Sequence, residues 1–227
     1  MRRFAAGVVL VALGFATRPG QAKVEFEVGA RLGYAVASGK LADEPVPPNT
    51  GDDQLKTFVK GEVPLALELG VRPIPMLTLG GYLELAPGIL GSGSSALCDA
   101  LHHDCTAVGF SFGVMAYLHA LPHQGVDPWF GAGIGFGILG VGEEVTSDQT
   151  VTLAYGGVEF PLRAGVDFKL SERFYLGPYV GYTLGTFSGR SLSCSGPDCS
   201  ENESDDIDDT ARHGWFGFGA KLTIVAF

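Results

Sequence analysis

The sequence predicts an all-β protein, an antiparallel up-and-down transmembrane β-barrel of about eight strands. Three observations predict it. Apolar residues alternate with small or charged residues in segment after segment. The links between these segments are short and long in turn, and glycine accounts for 34 of the 227 residues. That share is about twice the usual ~7%, and in a sequence without repeats it indicates a crowded backbone.

Residues 1–22 have the pattern of a secretory signal peptide, with a basic start, a short apolar run and a small-x-small cleavage site that ends at Ala22. The alternative is a retained membrane anchor, for which the run is short. We therefore expect an exported mature chain, residues 23–227, that forms one barrel domain.

Eight segments show the alternation. Apolar residues occupy the even positions of the first segment, the odd positions of the second and third, and the even positions of the remaining five, the last two more loosely. A membrane-crossing strand needs only ~9–11 residues, so each segment is long enough. In chain order they cover residues 23–36, 62–71, 77–86, 108–119, 130–138, 158–169, 174–187 and 215–227.

The links alternate in length. Three are short and rich in proline, glycine or polar residues, at residues 72–76, 121–127 and 170–173. Four are long, near residues 40–61, 91–107, 143–154 and 190–214. Short periplasmic turns at one end and long extracellular loops at the other are typical of a membrane barrel, and an even strand count puts both termini at the short-turn end.

The second segment shows which face meets lipid. Its apolar face is continuous from Val63 to Val71, whereas Glu68 lies on a face of small residues. We expect the leucines to face lipid and Glu68 to face a narrow lumen, where glycine leaves room for larger side chains. The alternative is a soluble, lipocalin-like ligand binder, with the apolar faces around a cavity and the charged faces outside.

Charged residues on the predicted inner face need partners in so narrow a space. We expect a network of glutamate and arginine that fills the lumen. Its function is either a polar core or a gate that opens a narrow path for ions or small solutes. The predicted members are Arg31, Glu68, Glu84, Glu159, Arg163 and Asp167.

The sequence predicts no enzyme, cofactor or metal site. His119 and Ser111 share the inner face of one strand, but eight positions separate them, about 26 Å at ~3.3 Å per residue. No other nucleophile and base come together in the pattern. His102 and His103 lie between two cysteines and leave a metal as the minor alternative there.

The four cysteines form two close pairs, Cys98 with Cys105 and Cys194 with Cys199. In an exported protein such pairs predict two local disulfide loops. The last long loop is acidic between Asp198 and Asp209, which indicates a solvated loop or, alternatively, weak binding of divalent cations that bridge to lipopolysaccharide phosphates. Loops of this kind carry partner specificity.

A net charge of −10 argues against a nucleic-acid partner. The signal peptide, the eight alternating segments, the alternating links and the terminal Phe227 together resemble the small bacterial outer-membrane β-barrels of the OmpA and OmpW type. The resemblance implies a monomer in the outer membrane, in contact with lipid and lipopolysaccharide, with a plugged lumen. Phe227 departs from that pattern, since it is out of phase with Leu222 and Ile224.

The resemblance and the strand pattern favour a structural or surface-binding role, with the long loops available to extracellular ligands. Aromatic residues near the strand ends are expected to form girdles at the two membrane interfaces. These residues are Tyr34, Trp129, Phe130, Tyr155, Phe174, Tyr175, Phe187, Trp215 and Phe216.

Overall fold

The computed structural model describes residues 24–41, 54–94, 104–146, 149–196, 203–207 and 212–226. It contains ten strands and one short helix. In chain order they are β1 (Glu25–Gly39), α1 (Leu55–Phe58), β2 (Val59–Glu62), β3 (Leu65–Ile74), β4 (Leu77–Leu90), β5 (Asp104–His119), β6 (Val126–Thr146), β7 (Gln149–Lys169), β8 (Phe174–Ser195), β9 (Glu203–Asp206) and β10 (Arg212–Ala226).

Eight strand positions close into an antiparallel ring, which confirms the predicted up-and-down barrel. Each of the eight positions pairs with the next one around the ring, and β10 closes the ring by pairing with both β8 and β1. β2 and β3 occupy one position together, because Val63 and Pro64 interrupt the strand and proline has no N–H for the ladder. β9 pairs with β8 above the point where β10 leaves it.

The two ends of the barrel differ as predicted. Short links at residues 75–76, 120–125 and 170–173 lie at one end. At the other end, part of the predicted loop structure is wrong. Residues 143–146 and 149–154 continue β6 and β7 as a paired hairpin, and β8 extends to Ser195. The alternation of apolar and polar residues does not mark the strands there, because neither face contacts the lipid or the polar lumen at that height.

Side chains alternate between the two faces of the wall as predicted. Leu67 and Leu69 on the outer face are 59% and 66% exposed, whereas Arg31 on the inner face is 2% exposed. A lipocalin-like barrel would place these groups the other way round, so that alternative is wrong. An apolar outer surface around a charged interior requires an apolar solvent outside.

In the described ranges, no helix is both long and apolar enough to cross a membrane. The predicted signal peptide and Phe227 lie outside the described residues. Up to Ala226 the register between β1 and β10 is continuous.

Candidate functional site in the barrel lumen

Glycines on the inner face of β6 make the lumen deep enough for large side chains from neighbouring strands. A methyl group built on Gly131 would lie 2.5 Å from the Tyr117 ring, and one on Gly137 would overlap the Glu159 carboxyl group. Gly133 and Gly135 leave the same kind of space for Met115 and Tyr82. The glycine excess is therefore a packing device that admits charged and aromatic groups to the lumen.

Glu68 lies at the centre of the lumen and has three partners. Its Oε1 accepts hydrogen bonds from Arg31 Nε at 2.5 Å and from the Tyr117 hydroxyl at 2.7 Å. Lys221 Nζ lies 3.4 Å from its Oε2. A buried carboxylate with this many donors is stabilised in its charged form by the geometry alone.

Arg31 joins Glu68 to a second pair. Arg31 Nη2 lies 3.3 Å from Glu84 Oε2, and Arg163 Nη2 approaches the same oxygen at 3.4 Å. The Arg31 guanidinium also stands over Tyr179, 5.4 Å from the ring centre. Two arginines therefore share one carboxylate oxygen, and the contact of Arg163 on β7 with Glu84 on β4 crosses the lumen.

Lys221 adds a cation that lies between aromatic rings. Its Nζ is 4.3 Å from the centre of Tyr117 and 4.6 Å from the centre of Trp129. Cation–π contacts of this kind contribute about 0.5–2 kcal/mol. The sequence-level reasoning missed Lys221 and Tyr117, although both alternate onto the inner face.

Above this layer, toward the loop end, lies a cavity of about 40 Å³, room for two or three waters at ~10–15 Å³ each. Glu62, Glu84, Glu159 and Arg163 line it. His213 is buried nearby, stacked on Phe187 with its Nε2 3.7 Å from Glu159 Oε1.

The periplasmic third of the lumen contains a hydroxyl, an imidazole and a carboxylate in sequence. Thr78 Oγ1 lies 3.3 Å from His119 Nε2, and His119 Nδ1 lies 2.8 Å from Asp127 Oδ2. This is the order of groups in hydrolytic triads. However, Thr78 and His119 are each 2% exposed, and Arg72 Nε donates to the Thr78 hydroxyl. A substrate has no approach to that oxygen, so the arrangement acts as packing.

Other charges close the same end. Arg72 pairs with Glu27 and lies 3.9 Å from Glu25. Asp167 accepts a hydrogen bond from Trp129 Nε1 at 2.9 Å. The six predicted network residues thus lie on the inner face but in different layers. Arg31, Glu68, Glu84 and Arg163 are in contact, Glu159 lines the upper cavity, and Asp167 lies lower.

The loop end of the lumen is apolar, which the sequence did not predict. α1 and the start of β2 pack inward over the barrel mouth, with Leu55 and Val59 fully buried. Leu41 lies against them. The mouth beneath is lined by Leu139, Tyr155, Phe187 and Trp215. We call this cluster the apolar cap.

The prediction of aromatic girdles is wrong for five residues, which lie inside the lumen. Trp129, Tyr155, Tyr175, Phe187 and Trp215 are buried in the lumen, where they pack against charges or in the cap. Phe130, Phe174 and Phe216 are exposed on the outer face, as girdle residues must be. Whether an aromatic residue faces lipid is predicted better by its inward or outward phase along the strand than by its distance from the strand end.

Two predicted sites fall partly outside the described residues. Cys105 is the second residue of β5 and Cys194 the last but one of β8, both at the loop end. Cys98, Cys199, His102 and His103 lie outside the described residues, so the disulfide pairing stays a prediction. Within the described residues, no group of three or more His, Cys, Asp or Glu is placed to hold a metal ion.

No protein-family model matches the chain, and no curated protein sequence matches it. Solved structures do match. Neisserial surface protein A is 14% identical, with 88% of this chain and 96% of that chain covered and a TM-score of 0.52. A major outer membrane protein from Thermus thermophilus is 12% identical, with 88% and 98% covered and a TM-score of 0.57. These likenesses show the fold: the chain is built as a small outer-membrane β-barrel.

Proposed function

We propose that the protein is an outer-membrane barrel with a closed lumen, and that it has a structural or surface-binding role carried by its loop end. The observation that carries the proposal is the chain of contacts from Glu68 through Arg31 and Glu84 to Arg163, which joins β3 to β7 across the middle of the barrel. The cavities on either side measure about 40 and 10 Å³, space for two or three waters above and about one below rather than for a column of solvent.

The apolar cap supports the same role. An ion that entered from the loop end would have to pass Leu55, Val59 and Trp215 before it reached a polar group. Removal of its hydration shell in that layer costs far more than thermal energy. An ion would therefore meet two barriers one after the other, the apolar cap and then the charge network.

The part of the molecule that can contact partners is the part that projects above the lipid. β6, β7 and β8 contain 21, 21 and 22 residues, roughly twice what a crossing requires. Their upper halves, with β9, form a paired sheet. Rigid scaffolds that display exposed segments are a common basis for recognition.

Single-channel recording on the refolded chain in a planar bilayer tests this proposal. We expect no discrete conductance from the natural protein. Arg163→Ala removes one cation from Glu84, and Lys169→Ala removes a cation that pairs with the exposed Glu172 and serves as the matched control. Steady open channels in the natural protein would overturn the closed-lumen role.

A second candidate is a narrow gated channel. The observation that favours it is the shared oxygen of Glu84, because Arg31 can release Glu84 to Arg163 and keep its contact with Glu68. Four acidic side chains, Glu62, Glu68, Glu84 and Glu159, line the central and upper lumen beside Arg31, Arg163 and Lys221. Acidic side chains that line a pore select cations. This candidate requires rare conductance steps that become more frequent in Arg163→Ala and a reversal potential that favours cations.

A further inference from the structure

Glu62 is a buried carboxyl group without a direct partner. It ends β2, is 7% exposed, and has no hydrogen bond or ion pair to any residue that the structure describes. Gly109 makes room for its side chain, since a methyl group built there would lie 3.1 Å from Glu62 Oε2. Buried carboxylates are normally paired, because the desolvation of an isolated charge is costly. Glu62 therefore needs either a cation or a proton.

The arginines near Glu62 are engaged by another acid. Arg31 Nη2 and Arg163 Nη2 lie 3.3 and 3.4 Å from Glu84 Oε2. β5 and β6 contribute uncharged residues to the cavity wall around Glu62. The charged and titratable groups that line this upper cavity or lie beside it are Arg31 of β1, Glu84 of β4, Glu159 and Arg163 of β7, Tyr179 of β8 and His213 of β10.

His213 lies beside Glu159 but does not form a hydrogen bond with it. The residue is 2% exposed, and neither ring nitrogen has a hydrogen-bond partner in the described ranges. Its Nε2 lies 3.7 Å from Glu159 Oε1, and its ring stacks on Phe187 with 3.9 Å between centres. A charged imidazolium has two N–H donors that both need acceptors. The contacts here provide neither, whereas Glu62 opens on a cavity with room for water.

The upper cavity lies between Glu62 and Glu159 and is closed by the apolar cap. It measures about 40 Å³, room for two or three waters at ~10–15 Å³ each. Leu139, Phe187 and Trp215 belong both to the cavity wall and to the cap. Water in the cavity can therefore bridge the two carboxyl groups, while the cap separates that water from bulk solvent.

One proton balances the charges of the central and upper lumen. Among the described residues, the acids there are Glu62, Glu68, Glu84 and Glu159, and the fixed cations are Arg31, Arg163 and Lys221. We propose that Glu62 and Glu159 form a proton-binding site, in which Glu62 retains a proton at neutral pH and donates through a cavity water to ionised Glu159. This inference rests on the closed lumen of the proposed function, because a hydrated lumen would let both acids ionise.

The site makes opening of the cap dependent on pH. β2 contains Glu62 and, three positions earlier, Val59 of the cap. When the cap opens, bulk water reaches Glu62, which ionises and releases its proton to solvent. Because each opening releases one proton, the opening equilibrium rises about tenfold for each pH unit above neutral. Alkaline pH therefore loosens the cap.

Infrared spectroscopy of the full chain, refolded into phosphatidylcholine vesicles at neutral pH, tests the proton directly. Protonated carboxyl groups absorb apart from carboxylates, and we expect Glu62→Gln to remove one such signal. Glu172→Gln, which changes a carboxylate that is 88% exposed, is the matched control and should leave the signal in place. Hydrogen exchange at the Gly91 amide, corrected for intrinsic exchange, should show the tenfold dependence in the natural protein and lose it in Glu62→Gln.

Equal infrared signals in Glu62→Gln and the control would overturn the inference. A charged ring at His213 in nitrogen NMR, with both acids ionised, would also do so. If Glu62→Gln does not fold, carbon NMR of labelled glutamates in the natural chain decides, since the absence of a protonated glutamate refutes the site. Steady conductance would overturn the proposed function as well, whereas a silent barrel without the Glu62 signal overturns only the proton site.

Discussion

Arg31 Nε and Glu68 Oε1 lie 2.5 Å apart at the centre of the barrel, on adjacent strands and 37 positions apart in the chain. Both side chains are almost fully buried, so their charges are neutralised only inside the lumen, where Lys221 also faces Glu68 and Glu84 also faces Arg31. The pair therefore depends on three features at once: the pairing of the two strands, the space that the inner-face glycines leave, and the other charges in the lumen.

Replacement of Arg31 by methionine should destabilise the barrel strongly. Loss of one member of a buried ion pair costs about 3–5 kcal/mol, because the other charge stays buried. Urea unfolding in lipid vesicles, followed by tryptophan fluorescence, measures the change. Lys169→Met removes a pair with Glu172, which is 88% exposed, and should cost at most ~1 kcal/mol. Equal losses in the two variants would refute the central role of Arg31.

Gly131→Ala should disturb the lumen through Tyr117. The new methyl group would meet that ring at 2.5 Å and push its hydroxyl away from Glu68, at a cost of about 1–3 kcal/mol for overpacking. Gly189→Ala is the control, since nothing lies within 4 Å of its added methyl group. The same unfolding assay compares them. Stability unchanged in Gly131→Ala would mean that the lumen is looser than these contacts imply.

Leu67→Arg tests which surface meets lipid. Leu67 is 59% exposed in the middle of the outer face, where an arginine costs about 2–4 kcal/mol. Leu170→Arg changes an equally exposed leucine in a short turn, 62% exposed, where the cost falls to about 0–1 kcal/mol. Refolding yield and unfolding free energy in vesicles report both. If Leu67→Arg is tolerated as well as Leu170→Arg, the outer face does not contact hydrocarbon.

Leu55→Ala should open the apolar cap locally. Leu55 has no exposed surface, and its truncation removes about 2–5 kcal/mol of packing. Hydrogen exchange at the Gly91 amide, which donates to Phe58 O at 2.7 Å, measures the opening. Lys56→Ala changes the adjacent exposed residue and should leave exchange unchanged. Protection that survives Leu55→Ala would show that other contacts close the mouth.

The wall of the barrel was predictable because strand geometry has a period of two, so phase alone assigned Leu67 outward and Glu68 inward. The contacts between side chains across the lumen were not predictable, since they depend on the register between strands and on the height of each residue in the barrel. Arg31 and Glu84 are in contact, whereas Asp167 lies lower beside Trp129, although all three share the inner face. The contacts of Glu68 with Lys221 and Tyr117 join residues from three different strands.

The apolar cap could not be predicted by the same reasoning. It is formed by α1 and by Leu41, in a segment where the alternation stops, so no periodic signal marks which residues turn inward. Likewise, Thr78, His119 and Asp127 come from three different strands. Distance along a single strand, which excluded Ser111 as a partner for His119, says nothing about neighbours across the lumen.

The seam between β1 and β10 has a consequence for how the protein is made. Ser38 Oγ donates to Gly214 O across this seam, between residues 176 positions apart. The ribosome has therefore produced almost the whole chain before the ring can close. Until then the apolar faces of the strands have no lipid to contact, and the strand edges at the open seam are unpaired and can associate with other chains. A polypeptide of this design therefore depends on chaperones that cover these surfaces until the ring can close in a membrane.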